Sequence, residues 1–182
     1  MTTAQTQEKL LYTLDAGHST VEFVVKHMMI AKVRGRFASV EGQIELAPGS
    51  DVPQAIKATI DATSVDTREA QRDAHLKSGD FLDIEQFPNP TFESTRIEGT
   101  AGAFKIFGNL TLHGVTREVV LDGNFEGRGA DPWGGQRIGY TAHTTINRKD
   151  FGLGWNAALE TGGVLVSEDV RIELNIEAVL QK

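Results

Sequence analysis

The chain has 182 residues, of which 40% are hydrophobic and 24% charged; it carries a formal net charge of −7 and no cysteine. That length fits one domain with a sizeable core. The acidic balance makes nucleic acid an unexpected partner, because an acidic surface repels phosphate backbones. Without cysteine, disulfides, zinc–thiolate sites and thiol nucleophiles are excluded.

Residues 1–10 read as a polar tail and 11–182 as a single domain. The opening segment, Met1 to Lys9, has no apolar h-region, so no signal peptide is expected and the cytoplasm is the simplest address. No segment approaches about 18 uninterrupted apolar residues, so no membrane-spanning helix is expected.

From Ser19 onward the dominant signal has period two. Val21, Phe23, Val25 and His27 share one face, with Glu22, Val24 and Lys26 on the other. Val33, Gly35 and Phe37 alternate with Arg34 and Arg36; Ile44 and Leu46 with Gln43 and Glu45; Ile56, Ala58, Ile60 and Ala62 with Lys57, Thr59 and Asp61. This is the pattern of strands with one wet and one dry face. Asp66–Lys77 then breaks the rhythm with helix formers, Asp66 and Glu69 suggesting a capping box. With Phe81 and Leu82 it is expected to cover one barrel mouth. Ser78 is a candidate cap for a short turn, and Pro88 and Pro90 close the excursion.

Alternation resumes with Phe92. Phe104, Ile106, Gly108, Leu110 and Leu112 form one face, followed by Val119, Leu121, Gly123 and Phe125. Ile138, Tyr140, Ala142, Thr144 and Ile146 come next, then Val170, Ile172, Leu174, Ile176 and Ala178. Loops are expected at Ala47–Pro53, Gly99–Gly102, Gly127–Gly135 and Gly162–Gly163. Strand glycines at 35, 42, 108, 123 and 139 suggest bulges or bends that let a sheet close. The fold expected is an all-β closed antiparallel barrel of about eight strands with a helical insert near one end.

Chemistry is sparse. None of the histidines at 18, 27, 75, 113 and 143 forms a metal-ligand motif, and His113 and His143 fall on expected outer faces. His27 shares the inward register, as a buried histidine bonded to backbone or a polar contact to a ligand. No nucleophile elbow, phosphate loop or dinucleotide fingerprint is present; Gly152-Leu-Gly154 lacks the strand-to-helix context. Glu168–Asp169, Lys32–Arg34–Arg36 and Arg148–Lys149 read as solvated charges. Arg148 nevertheless falls on the inward side with Tyr140 and Ile146, which calls for a carboxylate partner, Asp73 or Asp150. Small inward residues, including Ala58, Ala62 and Ala142, leave room for a ligand, and a filled core is the alternative.

An ordered set of motifs adds to this reading. Asp15-Ala-Gly-His-Ser19 and Val33-Arg-Gly-Arg-Phe37 are followed by Ser64-Val-Asp-Thr67, Arg72-Asp-Ala-His-Leu76, Asp80-Phe81 and Phe87-Pro-Asn-Pro-Thr-Phe-Glu-Ser-Thr95. Gly108-Asn-Leu-Thr-Leu-His-Gly-Val-Thr116, Asn147-Arg-Lys-Asp-Phe-Gly152 and Asp169-Val-Arg-Ile-Glu-Leu174 complete it. Over nearly its whole length the chain resembles the YceI-like family of lipid-binding, lipocalin-like barrels. The resemblance implies an apolar small-molecule ligand in the bore: a polyisoprenoid, a quinone-like molecule or a fatty amide. It implies no catalytic residue and no cofactor beyond such a lipid. Many members are exported, so address and ligand do not transfer with the resemblance.

The residues expected to line the ligand site are Val21, Phe23, Val25, His27, Phe37, Phe81, Phe92, Phe104, Ile106, Leu110, Phe125, Tyr140, Ile146, Ile172 and Leu174. Binding, storage or transport is the leading reading. An enzyme using His27 as general base and a ligandless stress or interaction scaffold are the competitors. Trp133 or an exposed strand edge is a candidate homodimer contact.

Overall fold

The computed structural model describes residues 8–182, so most of the expected polar tail lies outside the described residues. The strands are β1 (Leu10–Leu14), β2 (Thr20–His27), β3 (Ala31–Phe37), β4 (Val40–Leu46), β5 (Ala55–Ile60), β6 (Val65–Asp66), β7 (Thr91–Thr100), β8 (Ala103–Leu112), β9 (Val115–Ala130), β10 (Gln136–Asn147) and β11 (Asp169–Leu180). One α-helix, α1, spans Ala70–Lys77.

All the pairings are antiparallel, and β1 against β11 closes the ring β1-β4-β5-β7-β8-β9-β10-β11. The barrel has eight staves, because β1 with β2, and β3 with β4, are bent halves of longer runs. β11 shows this directly: its end near Ala178 pairs with β1 and its stretch Arg171–Asn175 pairs with β2. Asp15 makes the break, its carboxylate accepting from the Gly17 amide at 2.9 Å and starting a single 3-10 turn over Ala16–His18. Asp61 repeats the device after β5, accepting from the Thr63 amide at 2.9 Å. Such Asx caps satisfy an amide that a bent strand would leave without a partner.

The apolar faces read from the sequence point inward. One end of the barrel is filled by Tyr12, Ile44, Leu46, Phe104, Ile106, Leu121, Ile138, Tyr140 and Ala178. Each large side chain in that plug contributes about 1.5–3 kcal/mol by leaving water. The loop from Ala47 to Pro53 seals this floor, with the Tyr140 hydroxyl donating to the Asp51 carbonyl at 2.7 Å. Burial, the largest cause, pushes the Tyr140 phenol well above its ordinary range. Arg137 staples the floor from outside, donating to Asp15 at 2.7 Å, Glu177 at 2.6 Å and Asp131 at 2.9 Å.

Several local expectations change. The helix begins at Ala70, not Asp66. Arg68 adopts a left-handed backbone (φ 63°), which ends the helix there, and Glu69 is the cap, accepting from the amides of Gln71 and Arg72. Asp66 belongs to β6, so the capping box does not form. Ser78 ends α1, its hydroxyl donating to the His75 carbonyl at 2.6 Å, and starts the next turn as expected, accepting from the Asp80 amide at 3.3 Å. The expected Gly127 loop is shorter, since β9 runs on to Ala130.

The strand glycines mostly serve space rather than bulging. The register shifts lie at Ser94/Arg96, opposite Gly108, and at Gly139/Tyr140, so Gly108 and Gly139 fit the expectation. Gly35 sits opposite Phe23, and a Cβ there would lie 2.3 Å from the ring. Gly123 is likewise opposite Phe104, with a Cβ placed 2.5 Å from its ring. Each ring lies flat across its neighbour's missing side chain, an aromatic-over-glycine pairing that lets inward rings hug the wall.

Candidate functional site: an apolar chamber under a two-part roof

Above the plug the barrel is hollow, with a chamber of about 390 Å³. Fourteen of the fifteen residues singled out from the sequence line it: Val21, Phe23, Val25, His27, Phe37, Phe81, Phe92, Phe104, Ile106, Leu110, Tyr140, Ile146, Ile172 and Leu174. Phe125 is the correction. It packs its ring against Tyr140 at 5.6 Å, in the cluster below the chamber. Phe125 keeps the inward register of Gly123, in line with Tyr140, but lies two residues further along β9, so it meets the plug rather than the chamber.

The roof has two parts. One is α1 and the turn after it, contributing Arg72, His75, Leu76, Phe81 and Leu82. The other is the loop between β10 and β11, contributing Leu153, Trp155, Leu165 and Val166. They meet at an aromatic contact, with Trp155 at 4.7 Å from the His75 ring and 5.2 Å from Phe81. Phe81 meets His75 at 5.0 Å. Sequence reasoning assigned the first part to a mouth and missed the second. Trp155 lies in a glycine-rich loop with no periodicity, so only its large apolar ring in a polar setting hinted at it.

Polar groups gather beneath the roof and are already engaged. Thr67 donates to Asp73 at 2.6 Å and accepts from Arg72 Nε at 2.8 Å, docking α1 onto the barrel. Asp73 is thereby committed to Thr67. Arg148, only 3% exposed, has neither Asp73 nor Asp150 as partner. It donates instead to the carbonyls of Ser167 at 2.9 Å, Leu153 at 2.6 Å, Trp155 at 2.8 Å and Val166 at 3.4 Å. The alternation that turned it inward was correct, but its partners are backbone carbonyls that side-chain patterns cannot show. Nor is it a solvated charge; burial depresses its pKa. The guanidinium's planar fork of donors gathers the roof loop onto the barrel.

The His27 ring makes no hydrogen bond to any described residue, against the backbone-bonded reading, and it lines the chamber, as the ligand-contact reading requires; its backbone bridges to Val166. His113 lies in the tight β8–β9 turn with φ 54°, its ring beside Phe87 and within 3.2 Å of the Phe151 carbonyl. His143 is exposed on the outer face as expected. Trp133, 82% exposed, stands in the β9–β10 turn at the floor end. Among the described residues no buried side-chain polar atom lacks a partner. An acidic cluster with ligand-like spacing, Asp15–His18–Glu177, lies outside the chamber and already holds Arg137. Among the described residues no helix is long and apolar enough to cross a membrane.

A closed eight-stave barrel, plugged at one end and hollow at the other, defines the architectural class of small-molecule-binding barrels. Within that class the chain belongs to the YceI-like family, whose domain matches residues 12–178. A UPF0312 protein of Pseudomonas aeruginosa is 38% identical over 164 residues, covering 90% of this chain and 83% of its own. A Staphylococcus aureus UPF0312 protein is 37% identical over 167 residues, covering 91% and 95%. Among solved structures, the Campylobacter jejuni YCEI protein aligns with TM-score 0.76 at 29% identity, over 86% of this chain and 90% of that one. A polyisoprenoid binding domain from Saccharophagus degradans shares the fold, with TM-score 0.68 at 19% identity over 93% and 98%.

Proposed function

We propose that this protein binds a long apolar molecule in the chamber and stores or carries it without transforming it. The ligand class is a polyisoprenoid, a quinone-like lipid or a fatty amide. One observation carries the reading: the chamber wall is apolar along its length, and the buried polar side chains at its roof are spent on the protein's own structure. Affinity then comes from removing ligand surface from water, about 0.8 kcal/mol for each methylene buried. The relative described as a polyisoprenoid binding domain supports the same ligand class.

Native mass spectrometry of protein purified without detergent, followed by organic extraction, tests this. The expected result is a co-purifying or readily loaded apolar chain recovered chemically unchanged. A chamber that takes up no prenyl alcohol would overturn it. So would turnover of the bound chain that disappears in His27→Ala, which would make the protein an enzyme.

A further inference from the structure

We propose that the β2–β3 turn is a docking finger that seats the roofed end of the barrel on an anionic lipid surface. The inference rests on the carrier reading and supplies the route by which an insoluble chain reaches the bore. The turn consists of Met28, Met29 and Ile30, which are 43%, 55% and 83% exposed. Three successive large apolar side chains at a strand tip are unlike the singly scattered apolar residues of an ordinary surface.

The backbone makes the choice of residues more telling. Met28 and Met29 both adopt left-handed conformations, with φ 53° and 63°. A tight hairpin turn with this geometry favours Asn-Gly, because most side chains are strained there. Methionine is costly at both positions and exposes apolar surface as well. Strain of this kind persists where the side chains have a task.

Charge points to the partner. Lys26 and Lys32 face one another across the hairpin, one residue pair below the turn, and both are exposed. Like charges directly opposite destabilise a sheet. Of the neighbouring carboxylates, Glu22 and Glu173 are spent on Arg34 and Asp66 on Arg36. In a protein of net charge −7 this is a local basic collar beneath an apolar tip. An apolar tip with a basic collar matches the acyl boundary and the headgroups of an anionic leaflet. Other charges at this end are Glu160 in the adjacent roof loop, Glu168, which is paired with Lys149 at 2.7 Å, and the exposed Asp169 at the start of β11, the strand beside β2.

The position suits delivery. Val25, His27 and Val33, in the strands that flank the turn, line the chamber. The Met28 amide donates to the Leu165 carbonyl at 2.7 Å, tying the turn to the roof loop. Met29 packs near Gly163, where a Cβ would lie 3.3 Å from its Cγ. Contact with a bilayer at the turn is therefore contact with the roof over the bore.

The test is co-sedimentation of the full chain with vesicles of phosphatidylglycerol and phosphatidylcholine, and with phosphatidylcholine alone. The variants are Met28→Asn/Met29→Gly/Ile30→Thr, whose turn is better suited to its backbone, and Lys26→Gln/Lys32→Gln. The wild type should bind the anionic vesicles, less so at high salt. The turn variant should bind about tenfold or more weakly, and the lysine variant should lose most of the preference for anionic vesicles. Both should bind a short, water-soluble prenyl alcohol as the wild type does. Absence of wild-type vesicle binding, or equal binding by the turn variant, would overturn the proposal. Vesicle-independent self-association abolished in the turn variant would also overturn it, assigning the tip to a second copy. Failure of the short-chain titration in the wild type would instead remove the carrier reading.

Discussion

Replacing Arg148 with methionine keeps the length and apolar stem of the side chain but removes every donor that holds the roof loop. Arg148 makes three short bonds, at 2.6, 2.8 and 2.9 Å, and a longer one at 3.4 Å. Hydrogen bonds from a charged donor contribute about 1.5–3 kcal/mol each. Their sum is an upper bound, because the loop residues Trp155 and Val166 are only half-buried and water can reach some of the freed carbonyls. The methionine also avoids the cost of desolvating a cation. A net loss of about 3–4 kcal/mol is expected, below the sum of the three short bonds. For a chain of this size that lowers the melting temperature by about 6–16 °C. Thermal and urea unfolding measure it, and Arg148→Lys should recover only a small part, since an ammonium cannot span the same fork of carbonyls. A fall corresponding to less than about 1 kcal/mol, the range of an exposed polar contact, would refute the role given to Arg148.

Further outcomes follow from the wall and the floor. Gly123→Val places a Cβ 2.5 Å from the Phe104 ring, which is itself 3% exposed. Overpacking of about 1–3 kcal/mol is expected in unfolding experiments, together with reduced ligand capacity as the ring is pushed into the chamber. Arg137→Gln should show a pH-dependent loss of thermal stability. The Arg137 hydrogen bond, the largest cause, and His18 lower the Asp15 carboxyl from its ordinary 3.8 to about 2. A depressed carboxyl stabilises the fold above its unfolded value and loses that contribution as pH falls to the folded one. The gap between wild type and variant should thus be full near neutrality and shrink between about pH 4 and pH 2. A gap independent of pH would show that the guanidinium acts through packing alone.

What was legible in the sequence was what has a period. Alternation in β2, β8, β10 and β11 gave the inward faces, and fourteen chosen residues meet in one chamber. Alternation turned Phe125 inward correctly but carries no depth along the barrel, so it could not tell plug from chamber; the helix start was placed early because Arg68 turns the backbone into a left-handed conformation. Trp155, Leu165 and Val166 come from a loop, and loops carry no face. Arg148 was legible as inward but not in its partners, since backbone carbonyls are the same for every residue. The glycines were noticed, but their role was visible only once Phe23 and Phe104 lay across them.

The central claim is that the chamber binds by apolar length, and the most direct measurement is a titration of the protein with prenyl and straight-chain alcohols of increasing length. The dissociation constant should fall about fourfold for each methylene buried and level off when the chamber is full. Exchanging the alcohol for a quinone or an amide should change affinity little. Affinity that is flat with chain length, or that depends on one head group and vanishes in His27→Ala, would contradict the account.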